Sequence, residues 1–171
     1  LLKKRVYDAS ACTGSGVSIY LNGEKILVKG FEDYINLYIG KKSETKRVFI
    51  EANDRWQVGI CLSPEGDAEQ VSFVNGICTD RGGRHVSHVI DNLSKKIIES
   101  ISEGARKKGV TIRPEFIKRN LFVFLKSTIV NPSFASQTKE ILTTKQSSFG
   151  SKFEISDDFI KKLAKTDIVA R

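Results

Sequence analysis

The chain has 171 residues, 40% hydrophobic and 28% charged, a balance that suits one folded domain of ordinary size and excludes a disordered polyelectrolyte. Lys and Arg number 28 against 20 acids, and the resulting charge of +8 favours polyanionic partners, because each phosphate neutralised releases counterions. No apolar run approaches bilayer length, and Cys12, Cys61 and Cys78 form neither a C-x-x-C metal or redox spacing nor an even-numbered disulfide framework, which suits a reducing compartment.

The N-terminus, Leu1-Leu2-Lys3-Lys4-Arg5, lacks the apolar segment of a secretion signal and an initiator Met, so the chain reads as an excised or processed fragment. Residues 1–16 end in a flexible, polar stretch, Thr13-Gly14-Ser15-Gly16, and read as the tail of something that precedes. Residues 17–21 alternate, Asn22-Gly23 follows, and then Ile26-Leu27-Val28. Asn-Gly between β-rich runs is a strong hairpin signal, since both turn positions accept positive φ. Phe31, Ile35 and Tyr38, with Tyr34 beside them, recur at helical spacing and predict a helix over 31–39. The polar, basic run 41–47 reads as an exposed loop. Three strand candidates come next, at 46–52, 56–62 and 70–77, with a turn at Pro64-Glu65-Gly66-Asp67. Their alternation implies an antiparallel sheet with one covered face.

Gly82-Gly83 opens the longest predicted helix. Val86, Val89, Ile90, Leu93, Ile97 and Ile101 form one apolar stripe, and the helix runs to about Arg106, before Gly109. Residues 114–119 suit a short helix with proline in its first turn. Residues 121–130 are apolar on both faces apart from Lys126, Ser127 and Thr128, which predicts a strand buried from both sides. That strand feeds straight into a loop over 131–140. A last helix fits 157–164, with Ser156 as cap and acids in the first turn. The architecture is α+β, a mostly antiparallel sheet with helices packed on one face.

His85 and His88 lie three apart at a helix start, but without a third ligand they read as structural or surface residues. Gly82-Gly83 carries no phosphate-loop pattern and reads as a turn for close packing, with Asp80 and Arg81 as a solvated pair on it. Tyr7, Tyr20, Tyr34 and Tyr38 lack the activating neighbours of a nucleophilic phenol and are assigned to packing. Arg106, Lys107, Lys108, Arg113, Lys118 and Arg119 exceed what capping of a helix C-terminus needs. They are candidates for contact with the phosphate backbone of DNA, with no base reading expected. Gln137, Thr138 and Lys139 set an amide, a hydroxyl and an ammonium side by side after a strongly apolar strand. Such a loop is often only a loop, yet this set of groups suits a phosphate.

The stretches 70–85 (QVSFVNGICTDRGGRH), 131–140 (NPSFASQTKE) and 147–151 (SSFGS), with NGEKILVKGF at 22–31, together resemble the transducer domain of type II DNA topoisomerases. The form is closer to the eukaryotic enzymes than to bacterial gyrase. Ala135 and the Ile141-Leu142 pair differ from the expected eukaryotic pattern and leave the Gln-Thr-Lys triplet intact.

The resemblance implies a ribosomal-protein-S5-domain-2-like transducer fold at 17–171, with 1–16 as the C-terminal tail of a preceding GHKL ATPase domain. It implies ATP and Mg2+ bound mainly by that other domain and none within this chain alone. Lys139 would be the catalytic cation on the γ-phosphate, with Gln137 and Thr138 also at the nucleotide, on a loop expected to be mobile without it. The implied partners are the ATPase domain and DNA cleavage core of the same polypeptide, double-stranded DNA and a second copy of the parent, with no membrane. The parent is an ATP-hydrolysing isomerase, inactive as this isolated domain. It would work in the nucleus, or in the cytoplasm if the source is a large DNA virus. Two other readings stand beside it: a free-standing basic α+β nucleic-acid-binding domain, and the equivalent domain of another GHKL ATPase.

Overall fold

The computed structural model describes residues 2–14, 16–107, 113–164 and 166. From the N-terminus the chain forms a helix α1 (Leu2–Cys12), a two-stranded ribbon of β1 (Tyr20–Leu21) and β2 (Glu24–Lys25), and a helix α2 (Phe31–Ile39). Asn22 and Gly23 turn the ribbon at φ 51° and 86°, as the dipeptide predicts. Four strands follow: β3 (Val48–Asn53), β4 (Trp56–Leu62), β5 (Glu69–Val74) and β6 (Ile77–Cys78). Helices α3 (Arg84–Lys107) and α4 (Pro114–Arg119) lead to β7 (Leu121–Ser127), and α5 (Asp157–Ala164) comes last. Ser156 Oγ accepts the Phe159 N–H at 3.3 Å, the predicted cap of α5.

The main sheet has the order β3-β4-β7-β5-β6. Its pairs are antiparallel except β5 with β7, and that parallel pair is separated by the α3–α4 crossover, as parallel neighbours require. The run 70–77 is not one strand. Asn75 and Gly76, at φ 50° and 79°, turn β5 into β6 through a second tight hairpin.

Both faces of the sheet are covered, which corrects the expectation of helices on one face. Val123 and Leu125 of β7 join Trp56, Val58 and Ile60 under Val89 and Leu93 of α3, Ile117 of α4 and Phe159 of α5. Phe122 and Phe124 point the other way, with Cys61 and Phe73, under α1 and α2. The period of two along a strand makes this inevitable once both odd and even positions are apolar. Gly59 allows α2 to approach, since a Cβ there would lie 2.5 Å from Ile35 Cδ1.

Residues 2–12, for which no element is predicted, form a helix docked by a buried polar cluster. The Asp8 carboxylate is 2% exposed and accepts from Tyr34 Oη at 2.6 Å and Lys4 Nζ at 3.0 Å. Burial first, then the bond to Asp8, pushes the Tyr34 phenol far above its usual range. Lys4 also lies 3.5 Å from Asp80, so the partner of Asp80 is this lysine and not Arg81. Tyr7 and Tyr34 pack as expected; Tyr38 sets its ring against Phe122 and Phe124 but stays 43% exposed, and Tyr20 is 57% exposed because its ribbon stands outside the main sheet. The three cysteines are free thiols.

The Asp8–Tyr34 bond yields a direct expectation. Tyr34→Phe keeps the ring and removes one of the two donors to a buried carboxylate, leaving only Lys4, so it should destabilise folding by about 1.5–3 kcal/mol, read from denaturant midpoints. A change under about 0.5 kcal/mol, the range of an ordinary surface substitution, would show that the docking of α1 does not rest on this bond.

Candidate functional site

β7 delivers the chain to the candidate loop, and a side chain from the neighbouring hairpin holds the exit. Asn75 Oδ1 accepts the Ile129 N–H at 2.9 Å, and Asn75 Nδ2 donates to the Ile129 carbonyl at 3.0 Å. The next residue, Val130, donates to the Phe149 carbonyl at 3.2 Å. Phe149 is buried against Trp56, whose Nε1 donates to Ser151 Oγ at 2.7 Å. The 147–151 segment therefore braces the base of the loop.

The loop itself is a closed hairpin. Thr143 N–H donates to the Ser133 carbonyl at 2.9 Å, and Ala135 N–H to the Ile141 carbonyl at 3.0 Å. At the tip, Lys139 N–H donates to the Ser136 carbonyl at 3.1 Å, and the Ser136 and Thr138 hydroxyls lie 2.7 Å apart. Gln137 and Thr138 are exposed and Lys139 is half-buried. Lys139 adopts φ 60°, a left-handed conformation that costs a non-glycine residue about 1–3 kcal/mol. Its Nζ lies 5.9 Å from the centre of the Phe134 ring. No carboxylate among the described residues forms an ion pair with it.

The returning limb of the hairpin is clamped to the start of α3. Leu142 N–H donates to the Gly82 carbonyl at 3.0 Å, the Leu142 carbonyl accepts the Arg84 N–H at 3.0 Å, and Arg81 N–H donates to the Glu140 carbonyl at 3.1 Å. The loop thus satisfies one of the amides that a helix N-terminus leaves without an internal partner. The clamp closes only because Gly83, at φ 134°, has no side chain: a Cβ would lie 2.5 Å from Leu142 N and collide with its carbonyl oxygen too. Gly82-Gly83 is a close-packing turn, as its sequence indicated.

Behind that turn, His85 is fully buried. Its Nε2 lies 3.1 Å from Thr79 Oγ1, while Nδ1 has no hydrogen-bond partner among the described residues. Burial pulls its pKa down to about 3, so the ring is neutral at pH 7. His88 packs edge-on against Trp56 and Phe149, and burial again lowers its pKa. The two rings serve different layers and do not converge as ligands. Among the described residues no three His, Cys, Asp or Glu side chains gather as a metal site.

The basic candidates lie elsewhere. Arg106 and Lys107 occupy the last turn of α3, Lys108 falls outside the described residues, and exposed Arg113 precedes α4. Lys118 is 2.7 Å from Asp91 and Arg119 is 3.3 Å from Asp67. Exposed pairs of this kind are worth only about 0–1 kcal/mol, so a phosphate competes for both cations at small loss. α4 leads into β7 and the Gln137–Lys139 loop follows it, so about 20 Å of strand separates the two groups.

A sequence profile of the DNA gyrase B family matches residues 30–171. DNA topoisomerase 2 of Arabidopsis thaliana and the probable DNA topoisomerase 2 of Dictyostelium discoideum are 44% and 45% identical over 99% of this chain, which spans 12% and 11% of their lengths. The crystal structure of the ATPase and transducer domains of DNA topoisomerase II from Balamuthia mandrillaris aligns with a TM-score of 0.87 at 42% identity, over 99% of this chain and 41% of that one. The ATPase region of Saccharomyces cerevisiae topoisomerase II gives 0.83 at 36% identity, over 99% and 42%. The α+β fold with its mostly antiparallel sheet is the fold of these structures.

Two outcomes test the geometry. Gly83→Ala places a methyl group where the Leu142 backbone lies, so it should destabilise by about 2–4 kcal/mol in denaturant melts, well beyond a Gly→Ala change in open space. An unaffected midpoint would mean that the clamp is not tight. For His85, the folded chain binds its proton near pH 3 and the unfolded chain near 6.5, so only the unfolded state gains a proton in between. Stability attributable to His85 is full above pH 6.5 and falls by about 1.4 kcal/mol per pH unit towards pH 3. Chemical melts against pH should show a shallower slope in His85→Gln. Equal slopes would place the histidine in water.

Proposed function

Because the chain belongs to the DNA gyrase B family, we propose that it is the transducer module of an ATP-dependent type II DNA topoisomerase. In this reading residues 17–171 are the transducer and residues 1–16 the tail of a preceding GHKL ATPase domain. The parent, a homodimer, passes one DNA duplex through another. Identity of 36–45% to topoisomerase II proteins over 99% of the chain supports the assignment. The observation that carries the mechanism is the loop tip: an ammonium on a constrained backbone, beside an exposed amide and a hydroxyl, with no carboxylate among the described residues paired to it.

That donor set fits phosphate oxygens. It does not fit a magnesium ion, which needs oxygen ligands, so Mg2+ would be held with ATP in the ATPase domain. Lys139 would reach from this domain to the γ-phosphate, with Gln137 and Thr138 as hydrogen-bond donors at its side. A cation aimed at a phosphoryl group stabilises the charge that shifts as the bond to the leaving group breaks. The cationic finger of other nucleotide hydrolases contributes about 10³–10⁵ in rate.

The same contact would report the state of the nucleotide. With the γ-phosphate present, the loop tip is held by the ATPase domain and its base by the Leu142 clamp. After phosphate release the first attachment is gone and the second remains, so the domains are free to rotate. Arg106, Lys107, Lys108, Arg113, Lys118 and Arg119 would meet DNA through its phosphates, which is consistent with the weak ion pairs of Lys118 and Arg119.

The test is Lys139→Ala in the full-length polypeptide. Alanine carries the same Cβ, so the left-handed backbone is no more strained than before. ATP turnover should fall by roughly 10³-fold, with nucleotide affinity little changed in equilibrium binding. Undiminished turnover would remove Lys139 from the reaction.

A further inference from the structure

We propose that Phe134 is a positioning residue for Lys139, whose ring cradles the ammonium so that the cation is oriented before nucleotide arrives. The proposal rests on the reading of Lys139 as a γ-phosphate ligand and assigns a role to a residue outside the Gln-Thr-Lys triplet.

The hairpin brings the two together. Phe134 pairs across the hairpin with Leu142, Ala135 donates to Ile141, and the Ser136–Lys139 turn closes the tip. The left-handed backbone at Lys139 folds its side chain back over the limb that carries Phe134, with Nζ 5.9 Å from the ring centre. A lysine at that range is attracted by the negative face of an aromatic ring. The ring is itself fixed: Phe134 is half-buried and packs against the core beneath α3.

The choice of an aromatic ring over a carboxylate has chemical consequences. A carboxylate at this distance would hold the ammonium but compete with phosphate for it. A ring holds one side of the ammonium without neutralising it and leaves N–H donors free for phosphate oxygens. It also restricts a long side chain before the reaction, so less rotamer freedom is lost when the γ-phosphate is engaged.

ATP turnover of the full-length polypeptide supplies the first measurement. Phe134→Leu keeps bulk and removes the π face. It should lower kcat by about 3- to 10-fold with KM within about two-fold, and Phe134→Tyr should restore kcat to within about two-fold. In a Lys139→Ala background, Phe134→Leu should have no further effect. Equal losses for Leu and Tyr, an unaltered Phe134→Leu enzyme, or a loss that persists without Lys139 would overturn the proposal and leave Phe134 as a packing residue.

A second measurement does not depend on hydrolysis. In NMR spectra of the 171-residue chain with labelled lysine, the Lys139 ε-methylene protons should be shifted upfield by the ring, and the shift should vanish in Phe134→Leu and persist in Phe134→Tyr. An unshifted signal overturns the cradle. If Lys139→Ala leaves turnover intact while the upfield shift is present, the γ-phosphate reading fails and the cradle alone survives.

Discussion

The contact on which the candidate site depends is between backbones: Leu142 seated against Gly83 at the first turn of α3. It joins the returning limb of the loop to the longest helix through two hydrogen bonds, and a third from Arg81 extends the ladder. Backbone contacts of this kind have little slack. A side chain can rotate away from a perturbation, but a paired peptide group cannot leave without stranding a donor and an acceptor. Any force on the loop tip is therefore borne by the α3 terminus and not dissipated in rotamers. The missing Cβ at Gly83 is the condition for this, and the left-handed φ at the same residue would strain any replacement.

The rest of the fold makes that joint stiff. β7 is central in the sheet and packed on both faces, so the strand that supports the loop cannot shift without disturbing both cores. Its exit is fixed twice, by Asn75 on Ile129 and by the Phe149 carbonyl on Val130. Trp56 ties the 147–151 segment to β4. The loop thus has a rigid base and a polar, exposed tip. A rigid base fixes where the tip stands, and an exposed tip can meet a partner.

Much of this was legible because local rules agreed with the tertiary outcome. α2, β4, α4 and α5 begin and end where periodicity, proline and the Ser156 cap place them. The failures have physical causes. α1 is held by Asp8 on Tyr34, a long-range polar bond that no hydrophobic pattern announces. The Asn75-Gly76 turn was hidden because Val74 and Ile77 continue the apolar run on either side, although the same dipeptide was legible at Asn22-Gly23. The second covered face was legible in 121–130, apolar on both sides, but not in β4, where Gly59 and Cys61 look like an indifferent side although Gly59 is the gap into which Ile35 fits. Gln137, Thr138 and Lys139 were legible as a group, since a motif needs only adjacency. Phe134 and Leu142 were not, because their significance lies in contacts that close across the hairpin or join it to α3.

The electrostatics of the loop follow from what surrounds it. Some exposed cations have carboxylates to hand: Lys118 has Asp91, Arg119 has Asp67 and Lys4 has Asp8 and Asp80. Lys139 has an aromatic ring instead, on a backbone that most residues avoid. An ion pair would satisfy the ammonium within the chain, and a phosphate would then have to break it. A ring satisfies it only in part, since the quadrupole's attraction is weaker and shorter in range than that of a full charge. The ammonium can therefore meet an anion without first breaking an ion pair. The local strain at position 139 sits on a hairpin whose returning limb is held by the paired backbone at Leu142 and Gly83.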